Sequence, residues 1–155
     1  MRIVTNIKSL SIKCLPLPYK ESKAIANKMI LFLLSHKNIA KHSVGLACNQ
    51  LGLDGRVIII RNKNRWDIYI NPILCKSSDE KSTLDEECLS LPHESFPIER
   101  NLKVRIVDDM QRARDPEKDF TDFEGFQARV IQHEIDHLDG ILVSERYYKQ
   151  NSKEI

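Results

Sequence analysis

The chain lacks any apolar run long enough to cross a membrane: its longest strongly apolar stretch, Met29 to Leu34, falls far short of the ~18 residues a spanning helix needs. No membrane partner is expected. It also lacks, at its N-terminus, the apolar core of roughly 7–15 residues that marks a secretory signal. Cys14, Cys48, Cys75 and Cys88 are scattered with no CxxC spacing, which argues against a disulfide framework or a paired-cysteine zinc site and for free thiols in a reducing, cytoplasmic setting. Charge of one sign is missing too. Lys plus Arg total 24 and Asp plus Glu 22, a net +2, too little to mark a dedicated nucleic-acid binder. There is no internal repeat, low-complexity tract or linker, so the 155 residues are expected to form a single domain, 1–155, and a monomer. Residues 1–20 hold Arg2, Lys8, Lys13 and Lys20 but no acid. That bias resembles an organelle-targeting segment faintly and the basic edge of a folded domain more simply.

What is present reads as alternating short elements. Ile25, Met29, Phe32 and Leu33 recur at the spacing of one helix face, predicting an amphipathic helix from Glu21 to about Lys37. Asn38 to Asn49 has no period and is expected to be a loop. Val57–Ile60 and Ile68–Ile70 are β-branched or aromatic runs bounded by Gly55 and Asn71-Pro72, predicting a hairpin-like pair of strands. Ser77 to Glu87 is polar and acidic, expected to be a surface excursion. Leu102, Val104 and Ile106 alternate with Lys103 and Arg105, the period of a half-buried strand. Asp108 to Asp119 reads as an exposed turn, and Phe120 to Phe126 as a short strand or a helix lead-in. A helix is expected from about Gly125 to Leu138, stopped by Gly140. Strands in the middle with a helix towards each end predict an α+β fold: small mixed antiparallel sheets packed around the second helix.

That helix carries His133-Glu134-Ile135-Asp136-His137. One helical turn separates the histidines, so both can ligate one divalent metal from the same face. In such an HExxH arrangement the glutamate is no ligand: it takes a proton from water that the cation has acidified. Two histidines on a solvated helix are the bland alternative. A third ligand is then needed. An extended HExxHxxGxxH pattern would need histidine at 143, where valine stands. Downstream, Glu145 and Glu154 leave little chain for a ligand-bearing helix, which favours an upstream ligand. Cys88, in Glu86-Glu87-Cys88-Leu89-Ser90-Leu91-Pro92, is the best candidate because a thiolate is a strong soft ligand. His93 is a weaker one, and Cys88 taken alone reads as a small buried apolar side chain.

Three segments together resemble the peptide deformylases: Ser43-Val44-Gly45-Leu46-Ala47-Cys48-Asn49-Gln50, then Glu86-Glu87-Cys88-Leu89-Ser90, then Gln132-His133-Glu134-Ile135-Asp136-His137-Leu138. The resemblance implies a metal-dependent hydrolase that removes the N-formyl group from N-formylmethionyl nascent peptides and releases formate, with the ribosome as a candidate place of action. It implies that Cys88, His133 and His137 hold the metal, typically Fe2+, with Ni2+, Co2+ or Zn2+ able to substitute. Glu134 would move the proton, and Gln50 and the backbone N–H of Leu89 would donate to the developing oxyanion. Val44 and Gly45 would bind substrate beside them, with Phe126 and Val130 as further neighbours of the methionine side chain, and Asp136 would pair with Arg100 or Arg105.

The sequence departs from the family pattern at Ser43, Cys48 and Glu87, where glycine, alanine and glycine are usual. Glu87 is the notable one, since its side chain and charge stand next to the candidate ligand Cys88. A zincin-like endopeptidase, and an inactive relative that binds peptides without turnover, are the competing functional expectations.

Overall fold

The computed structural model describes residues 1–152; Lys153, Glu154 and Ile155, the end of the expected domain, lie outside the described residues. The chain runs α1 (Ile7–Leu10), α2 (Tyr19–Ser35), α3 (Lys37–His42), β1 (Gly45–Ala47), a 3₁₀ turn (Cys48–Leu51), then β2 (Val57–Asn62) and β3 (Arg65–Ile70). It continues through β4 (Ile73–Ser77), β5 (Lys81–Cys88), β6 (Leu91–Asn101), β7 (Lys103–Val107), α4 (Asp109–Arg114), β8 (Phe120–Glu124), α5 (Gly125–Leu138) and α6 (Val143–Asn151). The strands form three small antiparallel sheets, ordered β1-β2-β3, β4-β7-β8 and β5-β6. This is an α+β architecture.

The central strand β2 is apolar without alternation because both its faces are covered, and Val57, Ile58, Ile59 and Ile60 are all buried. Helix α2 contributes Ala26, Met29, Phe32 and Leu33, and α5 contributes Ala128, Val130, Ile131, Ile135 and Leu138. α5 is buried along most of its length, polar residues included: Arg129, Gln132, Glu134, Asp136 and His137 have almost no contact with solvent. A helix that buries so many polar groups must supply each with a partner, or hold it for chemistry.

The predicted helices and the hairpin lie where the periodicity places them, α2 within two residues at each end. Other segments differ. The expected loop 38–49 overlaps α3, β1 and the start of the 3₁₀ turn; each is too short to display a period. The expected surface excursion 77–87 is mostly β5, a strand paired along its length with β6 that itself buries only Glu86 and Cys88, leaving little apolar alternation to read. Within the expected turn 108–119, Asp108 starts α4 by accepting hydrogen bonds from the backbone N–H of Met110 and Gln111. At the C-terminal end, α6 is an additional helix. It docks through Val143 and Tyr147, which pack with Leu91, Phe96 and Ile98, and through polar contacts: the Gln150 amide donates to Glu99 O at 2.8 Å and accepts from Glu99 N at 3.1 Å.

Gly140 ends α5 in the left-handed region, at φ +71°, and its N–H donates to His137 O. The backbone of Ser11 passes so close that a Cβ here would lie 2.7 Å from its carbonyl carbon. One glycine thus closes the helix and admits the N-terminal segment.

Candidate metal and active site

β5 and α5 bring the predicted site residues together. Cys88, the last residue of β5, sits at a register shift just before the Leu89-Ser90 turn into β6, and its side chain is buried. Its Sγ lies 3.1 Å from His137 Nε2, and one ligand atom from each of Cys88, His133 and His137 falls within 4.8 Å of the other two. Among the described residues this is the group of side chains able to hold a metal. His93 lines the neighbouring cleft without joining it, and Glu145 instead accepts a hydrogen bond from Ser11 Oγ. Glu154 lies outside the described residues.

The imidazoles are oriented from behind. Glu86 points inward like Cys88, two residues along the same strand, and its Oε2 accepts from His133 Nδ1 at 2.9 Å, turning Nε2 of that ring towards Cys88. Glu86 is itself gripped by Arg100, through Nε at 3.0 Å and Nη2 at 2.9 Å, and by Arg129 Nη1 at 2.7 Å. Arg100 also reaches Asp136, which Arg146 on α6 binds in turn. A buried chain of alternating charge therefore runs from α6 to His133. Arg105, the other expected partner of Asp136, pairs with Asp122 at the surface instead.

These surroundings set the ionisation of the site. Burial opposes the charge of Glu86, yet hydrogen bonds from His133 and Arg100 hold its carboxyl well below the usual carboxylate range. Burial likewise opposes charge on His133, but hydrogen bonds to Cys88 and Glu86 outweigh it and raise this imidazole to about 10. Burial, reinforced by the nearby His133, drives His137 well below its ordinary value. One positive charge is favoured beside the thiol, and one imidazole is kept neutral. A divalent cation suits both demands, so this donor set fits a transition metal with mixed sulfur and nitrogen ligation.

Glu134 is 4% exposed, its Oε2 has no hydrogen-bond partner, and burial pushes its carboxyl up to about 7. Gly45 makes room for it: a Cβ at that position would come within 2.9 Å of the Cγ and Cδ of Glu134. Gln50 is held through Oε1 by the Ala47 N–H at 3.0 Å, which aims its Nε2 at Cys88 Sγ, 3.5 Å away, and Ser90 Oγ, 3.3 Å away. Leu89, Val44, Phe126 and Val130 line the same cleft; Val44 and Phe126 are 43% and 61% exposed, and Val130 is buried.

The sequence model of the polypeptide deformylase family matches residues 3–153. The chain belongs to the peptide deformylase family. It is 41% identical over 103 residues to the peptide deformylase of Treponema pallidum (strain Nichols), a match covering 66% of this chain and 62% of that relative. With the Thermotoga maritima peptide deformylase it shares 35% identity over 103 residues, 66% of this chain and 61% of the relative. The match thus spans somewhat less than two thirds of these relatives' length. Among solved structures, it resembles the class I type b peptide deformylase of Acinetobacter baumannii with a TM-score of 0.76 and 29% identity, covering 94% of this chain and all of that one. The probable peptide deformylase of Synechococcus phage S-SSM7 gives a TM-score of 0.77 and 27% identity, covering 95% and 99%.

Glu87 stands apart from the thiol. Its side chain is exposed at the cleft, on the opposite face of β5 from Glu86 and Cys88, and its φ is not positive. The anchoring carboxylate Glu86, with Arg146, was not singled out from sequence. The available signal was strand alternation, which puts Glu86 on the face of Cys88 once β5 is recognised as a strand.

Proposed function

We propose that this chain is a metal-dependent hydrolase that cleaves the formyl amide of N-formylmethionyl peptides, acting in the cytoplasm on nascent chains. The observation that carries this reading is the convergence of Cys88, His133 and His137 beside the buried, unpartnered carboxyl of Glu134. In this reading α5 is the metal-binding helix and its HExxH residues supply two ligands and the base. Cys88, His133 and His137 would hold Fe2+, for which Ni2+, Co2+ or Zn2+ could substitute. Bound there, the cation supplies a Lewis acid and water acidified to near neutral pH.

The chain's own residues do the rest. The edge strand β1 has β2 on one side and the cleft beside it, so Val44 and Gly45 can pair with an extended peptide by strand addition. Val44, Phe126 and Val130 offer the methionine side chain an apolar wall. Gln50 Nε2 and the Leu89 N–H donate to the formyl oxygen as it gains charge. Glu134 takes a proton from the attacking water and delivers it to the amine nitrogen as the C–N bond breaks. Formate and a free α-amine are the products.

No helix among the described residues is long and apolar enough to cross a membrane. We take the protein to be a monomeric single domain over 1–155, with the ribosome as a place where it would meet substrate. The test is formate release from formyl-Met peptides by protein loaded with Fe2+ without air. Release that disappears in Glu134→Gln supports the proposal. Absence of release by the loaded protein, or release indifferent to that change, would overturn it.

A further inference from the structure

Two thiols meet at the C-terminal end of α5. Cys14 is tied there through its backbone: its N–H donates to Leu138 O at 2.8 Å, and its carbonyl accepts from Arg56 Nη1 at 3.3 Å, a group that also donates to Leu138 O at 3.1 Å. Cys48 arrives on the 3₁₀ turn. Its Sγ donates to Gly55 O at 3.0 Å, and the side-chain amide of the next residue, Asn49, donates to His137 O at 2.6 Å. The two cysteines are thus held against the same two pairs of chain neighbours, His137-Leu138 and Gly55-Arg56. Their side chains come within hydrogen-bonding reach of each other, with Cys48 on the donor side.

Their surroundings differ as those of an attacking and a resolving thiol must. Cys14 is partly exposed, whereas Cys48 is fully buried. The contact with Cys48 lowers the Cys14 thiol from its ordinary value, against partial burial and with help from Arg56, while the same contact and burial push Cys48 up. The remaining cysteines lie elsewhere: Cys75 is exposed on β4, and Cys88 belongs to the candidate ligand group. Cys48 also stands where the family pattern has alanine, so the pair is a feature of this chain.

We infer that Cys14 and Cys48 form a reversible disulfide in the presence of a hydroperoxide, stapling the N-terminal segment to the 3₁₀ turn at the end of α5. The Cys14 thiolate attacks a peroxide oxygen and the O–O bond breaks; Cys14 becomes a sulfenic acid, and the departing hydroxide is protonated to water. The Cys48 sulfur then attacks the Cys14 sulfur, the S–O bond breaks, and the Cys48 proton leaves with the oxygen as a second water. Two thiols and one hydrogen peroxide give one disulfide and two waters. The bond closes a loop that contains α2 and α3, which restricts the unfolded chain and stabilises the fold.

The experiment treats the zinc-loaded full chain, in a Cys75→Ser background, with a slight excess of hydrogen peroxide. Its intact mass should fall by about 2 Da, the two hydrogens lost in forming one disulfide, and an unreduced digest should contain the Cys14 and Cys48 peptides joined. Dithiothreitol should restore the mass. The oxidised form should unfold at least about 3 °C above the reduced form. Cys48→Ala, which installs the residue usual in the family, should show neither the mass loss nor the rise, and its Cys14 should be trapped as a sulfenic acid by dimedone. A disulfide joining any other pair, both thiols left unoxidised, over-oxidation of Cys14 beside an intact Cys48 thiol, or a Cys14–Cys48 bond that leaves Tm unchanged would overturn the inference. None of these readouts is turnover, so the outcome is independent of the deformylation proposed above.

Discussion

Glu134 is the residue at which chemistry and folding can be separated. Its carboxyl has no protein partner to lose, so Glu134→Gln should lower kcat by about 10²–10⁴-fold, the usual worth of a positioned acid–base group, while metal content, read by elemental analysis, stays unchanged. Gly45→Ala should act on the same group from outside: the added Cβ displaces the Glu134 side chain. A loss of roughly 10²-fold in kcat/KM is expected for a misplacement of this size, again with metal retained. Glu86 behaves in the opposite way. Its carboxylate is buried between two arginines and an imidazole, and Glu86→Gln should cost about 3–5 kcal/mol by leaving buried cations uncompensated. Because its folded pKa lies below the unfolded value, its stabilisation is complete above the ordinary carboxylate range and is lost as pH falls through and below it. The variant should therefore show a flatter acid limb in urea unfolding followed against pH. The candidate ligands His133 and His137 and the candidate base Glu134 stand out from residue type and spacing, whereas Cys88 gains its place from the family resemblance. Glu86 was not, because a glutamate in an acidic stretch looks like surface until its strand is known.

At the scale of elements, legibility followed burial. α2, α5, β2, β3 and β7 bury an apolar face or run and so carry a period that sequence displays. The β5-β6 hairpin presents most of its length to solvent and is held by its ladder, so little periodicity reports it. α6 is fastened by Arg146 and Gln150 together with a short apolar pair, Val143 and Tyr147, packed against the β5-β6 hairpin, too few apolar residues to display a period. It nevertheless reaches the proposed ligand helix, since Arg146 binds Asp136 on α5. The junction of α5 with the N-terminal segment is sterically tight. Gly140→Ala forces a side chain into the left-handed region and against Ser11, and should destabilise by about 1–3 kcal/mol. Thermal unfolding of the variant checks it.

For the whole molecule, the two sheets β1-β2-β3 and β4-β7-β8 share one main core with α2 and α5, while the β5-β6 hairpin packs in a second apolar cluster with Leu10, Leu142 and Val143. The proposed metal lies where β5 meets α5, so it ties the hairpin to that core and should stabilise the fold on binding. Chelation should lower Tm, with a loss of about 2.7 kcal/mol relative to a metal concentration a hundredfold above Kd. The central claim is that one sulfur and two imidazoles share one ion, and X-ray absorption spectroscopy of the metal-loaded protein tests it most directly. The account predicts one sulfur at about 2.3 Å, the distance typical of a zinc-substituted site, together with two imidazole nitrogens. That sulfur should vanish in Cys88→Ser. A loaded site whose spectrum contains no sulfur would contradict it.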